Sequence, residues 1–564
     1  MLPNMKQFLC CVLATLALGA SAQPQKAAAP AASWVSTDVH LSAAAPAPAH
    51  PTADTLLVAW RGERASMQAL LHAPAATGSL QLRLELVGAK KGQAALPQAE
   101  AHFLERVLTD NFQYCGYHPN HLTPYTVPDR IATTPALALT KGETRGVWCT
   151  VEVPREAAAG TYRLLLSVVD SLTQRTVAKL NLRLRVLDRT LPLPADQAFH
   201  VDFWQQPYAV ARHHGVPRWS DAHFDALRPY LRLLARSGQK VISTILFYEP
   251  WGDQSYDKFD PMVRTTRKAD GTWSYDYSVF DRYVELCMEC GISKQISCYS
   301  MVPWDMSFRY YDEAQGREVD LKTTTSSAEY KELWTAFLRA FAAHLKEKGW
   351  FDKTCIAMDE RGLPNMLDAY RVAQEAVPGM RMALAGNYHA ELVDKLQDYC
   401  IAFGQDFKPE ELASRQAAGR VSTTYTCCSN THPNLFSNSL PAEAALLPVY
   451  CIANRFEGYL HWSWMNWDDK SLTDSRYRLF APGDTYVVYP GPQSSVRYER
   501  FIEGVALAEK VRLLRESYRE QGNADSLERL ERVVRLFETE TYPEGHTAAT
   551  LVDVLRREVN AGGR

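Results

Sequence analysis

The stretch Thr354-Cys-Ile-Ala-Met-Asp-Glu360 is a short apolar run that ends in two adjacent carboxylates and is followed by Arg361-Gly362. A run of this length bounded by turn residues is typical of a buried strand in a parallel sheet. Acids at the end of such a strand would lie at the edge of the sheet, where α/β enzymes place their chemistry. An isolated acidic pair is more often a solvated strand end, so its meaning depends on the rest of the chain.

Further apolar runs alternate with helical patterns between residues 195 and 520. Together with the first, they cover residues 199–204, 240–248, 294–302, 354–360, 381–388, 399–403, 421–427 and 458–464. Eight alternations predict a (β/α)8 TIM-type barrel with insertions. A doubly wound open sheet is the alternative, although the chain has no Gly-rich dinucleotide turn to support it.

The helical patterns of this region have recognisable ends. Ser220 is placed to cap one helix, and Ser326 with Glu329 forms a capping-box pattern for another. Pro409 and Pro441 stand where first-turn prolines belong. These boundaries support the alternation of strands and helices that the barrel requires.

The N-terminal part of the chain has a different pattern. Apolar and polar residues alternate strictly over residues 79–86 and 180–186, and more loosely over 162–168. Period two is the pattern of half-buried strands, so residues 53–190 are predicted to form an antiparallel β-sandwich. The segment Leu191-Pro-Leu-Pro194 would link it to the barrel domain of residues 195–520.

The two ends of the chain carry further signals. Lys6, an apolar core and Ala20-Ser-Ala22 predict a signal peptide over residues 1–22, and therefore a periplasmic or secreted protein. Residues 23–52 are rich in Ala and Pro and are predicted to be a disordered lead-in. Amphipathic patterns after residue 494 predict a closing barrel helix and then a helical tail over residues 521–564. No later run is long enough for a membrane-spanning helix.

Composition and cysteine usage narrow the class of protein. A formal charge of -3 over 564 residues gives no reason to expect nucleic acid or an anionic membrane as a partner. Export permits disulfides, and Cys115 with Cys149 is a candidate pair. Cys287-Met-Glu-Cys290 has the spacing of half a zinc site but lacks a second half. We predict no metal and no cofactor.

Aromatic and polar residues recur where the predicted barrel strands end. They are Trp204, Tyr248, Trp251, Trp304, Asn387, Tyr388, His389, Tyr425, Trp462, Trp464 and Trp467, beside Asp359 and Glu360. Barrel interiors favour branched aliphatic residues, so many aromatic residues at one end of successive strands indicate a binding surface. Aromatic faces beside carboxylates and amides suit a sugar, whose C–H faces stack on rings while its hydroxyls need polar partners.

The adjacency of Asp359 and Glu360 bears on the mechanism. Neighbouring residues of a strand point to opposite faces, so both can reach one pocket only where the chain leaves regular extension. Ordinary retaining glycosidases use two separated carboxyl groups. A neighbouring pair instead suggests substrate assistance, in which the sugar's own acetamido oxygen attacks the anomeric carbon. Asp359 would orient the acetamido group, and Glu360 would act as general acid and then general base.

Other sequence motifs carry a family resemblance. They are Trp60-Arg-Gly-Glu-Arg64, Asp202-Phe-Trp-Gln205, Ala357-Met-Asp-Glu-Arg361, Leu472-Thr-Asp-Ser-Arg476, Gly483-Asp-Thr-Tyr486 and Tyr489-Pro-Gly-Pro492. In these the chain resembles glycoside hydrolase family 123, the β-N-acetylgalactosaminidases. The resemblance implies a sandwich followed by a barrel, retention of configuration, and the roles given above for Asp359 and Glu360. Asp474 and Arg476 would bind sugar hydroxyls or form an ion pair that stabilises their loop.

The leading hypothesis is an exported glycosidase that removes terminal β-linked N-acetylgalactosamine, with a glycan as its partner. A β-N-acetylglucosaminidase is the enzymatic alternative, because the two sugars differ only in the orientation of one hydroxyl. A non-catalytic glycan-binding protein is the alternative from another class. The sequence does not determine the oligomeric state.

Overall fold

The computed structural model describes residues 29–88, 95–112, 122–430, 432–539 and 541–561. The predicted signal peptide and Cys115 lie outside these residues. Within them the first part of the chain is built from strands and the second part from alternating strands and helices.

The N-terminal part forms two sheets. Its strands are β1 (Ala31–Val35), β2 (Asp54–Arg61), β3 (Arg64–His72), β4 (Ser79–Val87), β5 (Gln98–Thr109), β6 (Tyr125–Ile131), β7 (Leu137–Ala138), β8 (Thr144–Glu152), β9 (Gly160–Asp170) and β10 (Thr176–Thr190). One sheet has the order β1-β3-β8-β5-β6 and the other β2-β10-β9-β4-β7. The pairing is antiparallel except between β2 and β10, which run parallel.

The two N-terminal sheets share one hydrophobic cluster. To it β8 contributes Val147 and Val151, and β10 contributes Leu182 and Leu184 at alternate positions. Alternate side chains of each strand point to the same side, so one face of each sheet packs against the other sheet, as in the two layers of a sandwich. The predicted β-rich N-terminal domain is confirmed.

Strand β1 contradicts the prediction of a disordered lead-in for that segment. It pairs antiparallel with β3, from Ala31 opposite His72 to Val35 opposite Gln68. Trp34 is buried in the shared cluster, and its indole N–H donates to the carbonyl of Asn181 at 2.9 Å. The burial of one large aromatic side chain offsets the weak strand preference of its Ala and Pro neighbours.

The second part of the chain contains a parallel sheet and a smaller inserted sheet. Its strands are β11 (His200–Phe203), β12 (Val241–Ile245), β13 (Arg264–Arg267), β14 (Trp273–Asp276), β15 (Gln295–Tyr299), β16 (Ser307–Asp312), β17 (Arg317–Lys322), β18 (Thr354–Met358), β19 (Arg381–Gly386), β20 (Asp398–Ala402), β21 (Val421–Tyr425) and β22 (Gly458–His461). The inserted sheet has the order β14-β13-β16-β17. The parallel strands follow the order β11-β22-β21-β20-β19-β18-β15-β12.

The eight parallel strands form a nearly closed barrel. Between β11 and β12 the ladder is reduced to one bridge between Val201 and Gln239. The Gln239 side chain completes this seam. Its Oε1 accepts from the backbone N–H of Phe203 at 2.8 Å, and its Nε2 donates to the backbone carbonyl of Phe203 at 3.1 Å. On the other side of β11, a Cβ on Gly458 would lie 1.8 Å from the carbonyl oxygen of His200, so only glycine fits there. The barrel prediction is confirmed over the open-sheet alternative.

Helices cover the barrel and continue beyond it. They are α1 (Pro207–His214), α2 (Asp221–Ala235), α3 (Ser278–Glu289), α4 (Ala328–Glu347), α5 (Leu363–Ala376), α6 (Pro409–Ala417), α7 (Pro441–Ala453), α8 (Val496–Glu520), α9 (Ala524–Val534) and α10 (Ala548–Ala561). No helix among the described residues is both long and apolar enough to cross a membrane.

The helix ends agree with the sequence at most positions. Ser220 caps α2 by accepting from the N–H of His223, and Pro409 and Pro441 begin α6 and α7. The capping box proposed for Ser326 is wrong by one residue. Ser327 accepts from the N–H of Tyr330 instead.

The predicted pairing of Cys149 is not found. Cys149 carries a buried free thiol in the core of the sandwich, where the side chain acts as a small hydrophobic group. Cys428 is disulfide-bonded. Cys287 and Cys290 are free thiols at the C-terminal end of α3.

Candidate active site

Strand β18 directs its alternate residues to two different environments. Cys355 and Ala357 belong to the cluster inside the barrel, whereas Ile356 and Met358 belong to the cluster beneath the helices. Asp359 is the next residue in this alternation that points into the barrel, and it stands immediately after the last residue of the strand. Alternation thus brings this carboxylate over the mouth of the barrel.

Asp359 is held in an aromatic setting. Asp359 is only 8% exposed, and its Oδ2 accepts a hydrogen bond of 3.1 Å from the indole N–H of Trp304. The Arg361 guanidinium stacks over the Trp304 ring at 4.2 Å. Burial raises the pKa of Asp359 to about 7, although the positive charge of Arg361 and the Trp304 hydrogen bond oppose the increase.

Glu360 points in a different direction from its neighbour. The chain bends at this residue, and its side chain is exposed. The Tyr425 hydroxyl donates a hydrogen bond to Glu360 Oε1. Tyr425 ends β21, which is separated from β18 by β19 and β20. The carboxylate of Glu360 therefore reaches across the mouth.

A glycine lies directly beneath the bend. A Cβ on Gly386, at the end of β19, would lie 3.4 Å from the Cα of Glu360. The absence of a side chain leaves room for the backbone to turn away from the sheet. Asp359 and Glu360 consequently diverge, one towards the loop after β15 and the other towards β21.

Aromatic side chains form much of the remaining rim. Trp204 and Trp251 stack with centroids 5.3 Å apart and planes 18° apart. Trp462, just after β22, is half-buried and shares the interior cluster with Trp204 and Tyr425. Its ring lies 5.1 Å from that of Phe480. The site thus combines two diverging carboxylates with aromatic walls, an arrangement suited to acid–base chemistry on a sugar.

The comparisons with known proteins agree with this arrangement. The model of the glycoside hydrolase 123 catalytic domain matches residues 204–514, and that of the glycoside hydrolase 123 N-terminal domain matches residues 34–170. The chain belongs to glycoside hydrolase family 123. This membership supports a glycosidase activity that acts on a glycan.

A solved structure supports the fold of this family 123 chain. A family 123 glycoside hydrolase from Clostridium perfringens, studied for glycolipid glycan hydrolysis, is 24% identical with a TM-score of 0.82. The match covers 95% of this chain and 98% of that one. A Bacteroides uniformis β-glucuronidase is 11% identical over 78% of this chain and 48% of its own, with a TM-score of only 0.29. No curated protein matches the chain.

Some residues predicted at the site of the family 123 chain lie elsewhere. Trp464 and Trp467 are buried in the cluster beneath the helices, where the Trp467 indole donates to the carbonyl of Val488 at 2.7 Å. The Tyr388 hydroxyl donates to the Glu411 carboxylate of α6 at 2.9 Å. The side chains of Trp467 and Tyr388 are thus directed into the outer layer of the barrel.

Other predicted sugar contacts have protein partners around the rim. Asn387 is exposed and its Oδ1 accepts from Gln405 at 2.8 Å. The backbone N–H of His389 donates to the Tyr399 hydroxyl at 2.6 Å, and the Tyr248 ring lies 3.9 Å from the Arg309 guanidinium. Asp474 and Arg476 form a two-point ion pair with contacts of 2.9 and 2.7 Å. Their roles in sugar binding stay predictions.

Two residues near Trp462 were missed from the sequence. Phe480 lies in the loop after β22, and no local pattern marks it as a binding residue. Asp484 is buried, and burial raises its pKa to about 7 against the opposing effects of Trp462 and Arg497. The Gly483-Asp-Thr-Tyr486 motif contained the signal for Asp484. Among the described residues, no group of three or more His, Cys, Asp or Glu side chains could hold a metal ion.

Proposed function

We propose that this family 123 enzyme removes terminal β-linked N-acetylgalactosamine with retention of configuration, through an oxazolinium intermediate. The divergence of Asp359 and Glu360 from one strand end is the observation that carries the proposal. Asp359 is buried beside Trp304, and Glu360 is exposed beside Tyr425. Two carboxylates in such different settings suit two different tasks.

In the first step the acetamido oxygen attacks the anomeric carbon while the bond to the leaving oxygen breaks. Glu360 gives its proton to the leaving oxygen. Asp359, in its ionised form, accepts a hydrogen bond from the acetamido N–H and so stabilises the positive charge of the closing ring. The Trp304 hydrogen bond to Oδ2 holds the carboxylate in place, and Oδ1 is the oxygen that would accept from the acetamido N–H.

In the second step water opens the ring. Glu360, now a carboxylate, takes a proton from the water as its oxygen bonds to the anomeric carbon. The bond from that carbon to the acetamido oxygen breaks, and the acetamido group is restored. Two displacements at one carbon leave its configuration unchanged.

The location of the enzyme is also a proposal. The signal-like N terminus suits export to the periplasm or beyond, where glycans are accessible. The disulfide at Cys428 supports this location, because disulfides persist in oxidising compartments.

Release of sugar from matched chromogenic β-N-acetylgalactosaminide and β-N-acetylglucosaminide substrates tests the activity. We expect hydrolysis with a preference for the galacto sugar, and inhibition by a thiazoline analogue of the intermediate. A preference for the gluco sugar would contradict the proposed specificity and identify the enzyme as a β-N-acetylglucosaminidase. Absence of release from both substrates would reject the enzymatic function, and hydrolysis without thiazoline binding would reject substrate assistance.

A further inference from the structure

The sheet with the order β2-β10-β9-β4-β7 has one face in the shared cluster and the other turned outward. Leu182 and Leu184 of β10 point into the cluster, so the residues that alternate with them point away from it. Five exposed cations occupy this outward face: Lys179, Arg183 and Arg185 of β10, Arg163 of β9 and Arg83 of β4. We call these five residues the basic face.

The strand register brings the cations of the basic face together. Arg183 stands directly opposite Arg163 in the antiparallel pairing of β10 with β9. Arg185 follows Arg183 two positions later, on the same side of the strand. Charges of one sign that stand opposite each other on neighbouring strands destabilise a sheet. The fold therefore holds side by side charges that repel each other.

The protein itself offers these cations few partners. Within the described part of the chain no ion pair joins any of the five to an acid, and Arg83 donates to the Gln174 side chain at 2.7 Å. The acids that point outward from β2, β4, β9 and β10 are Asp54 and Glu85. Two acids against five cations leave an excess of positive charge.

Aliphatic side chains lie beside the arginines. One row across four strands reads Leu56, Arg183, Arg163, Val87, because each residue stands opposite the next in the register. Leu56 is 47% exposed and Val87 is 46% exposed. The row thus presents two neighbouring cations between two exposed apolar groups.

We infer that the basic face binds the surface of an anionic phospholipid bilayer. Negatively charged headgroups complement the arginines that have no acidic partner. The boundary between headgroups and acyl chains accepts the exposed aliphatic side chains of the same row. The formal charge of -3 is a sum over the whole chain, so it does not describe this face.

An anionic polysaccharide is the competing partner, and the outward side chains favour the bilayer over it. Sugar rings bind to aromatic faces, whereas the outward positions of β2, β4, β9 and β10 present no exposed aromatic side chain. A polyanion would also place charged groups against Leu56 and Val87. The inference is independent of the proposed function, because every residue of the basic face belongs to the N-terminal domain.

The test measures binding of the purified enzyme to vesicles of phosphatidylcholine, with and without phosphatidylglycerol. We expect binding to the anionic vesicles alone, with an affinity that falls as the salt concentration rises. Arg163→Gln combined with Arg183→Gln should lower this affinity about thirtyfold. Tm should not fall in this double variant, since a pair of like charges is removed.

Arg371→Gln combined with Arg532→Gln is the matched control. It removes the same charge from two helices, at side chains that are 65% and 70% exposed. Its affinity for the anionic vesicles should equal that of the wild type. An equal loss in both double variants would assign the binding to net charge and overturn the inference.

Leu56→Ser tests the apolar part of the row. It should lower the affinity for the anionic vesicles about fivefold, because it removes apolar contact with the bilayer. The salt dependence should stay unchanged, since no charge is removed. An unchanged affinity would show that charge alone is recognised and would overturn the choice of a bilayer over a polyanion.

Three results with the wild type would also overturn the inference. They are equal binding to neutral and anionic vesicles, binding to neither, and retention on heparin without binding to vesicles, which would identify an anionic polysaccharide as the partner. Each of these leaves the proposed function intact, because hydrolysis of the chromogenic substrates is measured without a membrane.

Discussion

The rim of the barrel and its interior each contain a buried carboxylic acid, and the two acids have similar acidity. Asp359 is 8% exposed and Asp202, on β11, is 4% exposed. Burial raises the pKa of each to about 7. Asp202, however, lies in a group of interior side chains in which His200 is 3.4 Å from Asp398. Asp359 faces Trp304 and lies next to the exposed Glu360.

The difference between the two regions shows that a raised pKa does not by itself identify a catalytic group. Desolvation acts on any carboxyl group that the fold removes from water. Access to substrate separates the rim from the interior, because Asp359 adjoins an exposed acid and an open mouth. Tyr299 lies in the interior cluster with its ring 4.7 Å from that of Trp204, and burial and then the charges of Asp202, Asp398 and Asp359 raise its pKa.

The largest effect on activity is expected at the exposed acid of the rim. Glu360→Gln should lower kcat roughly a thousandfold on methyl β-N-acetylgalactosaminide, which has a poor leaving group, because the leaving oxygen loses its proton donor. An aryl glycoside with a good leaving group should lose less, since its departure needs less protonation. Thermal unfolding should be unchanged, as the side chain is exposed. Equal losses on the two substrates would contradict the role of Glu360 as general acid.

The buried acid of the rim should show opposite effects on activity and stability. Asp359→Asn should lower kcat/KM roughly a hundredfold, because the acetamido group loses its charged partner. A folded-state pKa of about 7 lies above the unfolded value, so the stabilising effect of protonation is complete at low pH and is lost as the pH rises through 7. At pH 8 the variant should therefore be more stable than the wild type by up to about 4 kcal/mol, since each unit of pKa difference corresponds to about 1.4 kcal/mol.

Denaturant unfolding of both proteins at pH 8 and pH 4 checks this sign. Near pH 4 the stability difference should become small, because the wild-type carboxyl group is neutral in the folded state and already about half neutral in the unfolded state. A variant that is less stable than the wild type at pH 8 would show that the charged form of Asp359 is better solvated than its burial indicates.

The hydrogen bond between Tyr425 and Glu360 should have a smaller effect. Tyr425→Phe removes a neutral donor from a charged acceptor and should lower kcat by about tenfold. Tyr388→Phe is the control, because its hydroxyl bonds Glu411 in the outer layer. A comparable loss of kcat in Tyr388→Phe would place Tyr388 at the sugar, as the sequence predicted.

The smallest effect on activity is expected in the interior. Asp202→Asn should keep kcat/KM close to the wild-type value while increasing stability at pH 8, since burial raises the pKa of this acid as well. The pH profile of kcat/KM should also stay unchanged. A shifted profile would show that the interior charge reaches Asp359 through Tyr299, and the two regions would then have to be treated as one titrating system.

The sequence predicted the barrel strands well because their apolar runs are local signals. Every predicted run contains an observed strand, except that β20 begins one residue earlier, at Asp398. Runs such as 458–464 extended too far, because Trp462 and Trp464 resemble strand residues although β22 ends at His461. Once the strand ends, period two no longer holds, and Trp464 turns into the outer layer. The short polar strands of the inserted sheet have no apolar pattern and were missed.

The candidate site was predictable only where its residues are neighbours in the chain. Asp359 and Glu360 stand together after an apolar run, so their chemistry could be read directly. The meeting of Phe480 with Trp462, or of Tyr425 with Glu360, depends on how distant loops fold over the barrel. Likewise, the partner that turns Tyr388 outward, Glu411, belongs to a later helix.

The seam of the barrel also has a consequence for biosynthesis. Strand β11 is the first barrel strand to be translated, yet it pairs along its length with β22, the last. Until Gly458 has been synthesised, β11 lacks its main partner and β21 is an open edge. Barrel assembly must therefore wait for almost the whole chain, a long-range contact of the kind that slows folding. A nascent or truncated chain ending before this glycine would expose two unpaired edges and be prone to aggregation.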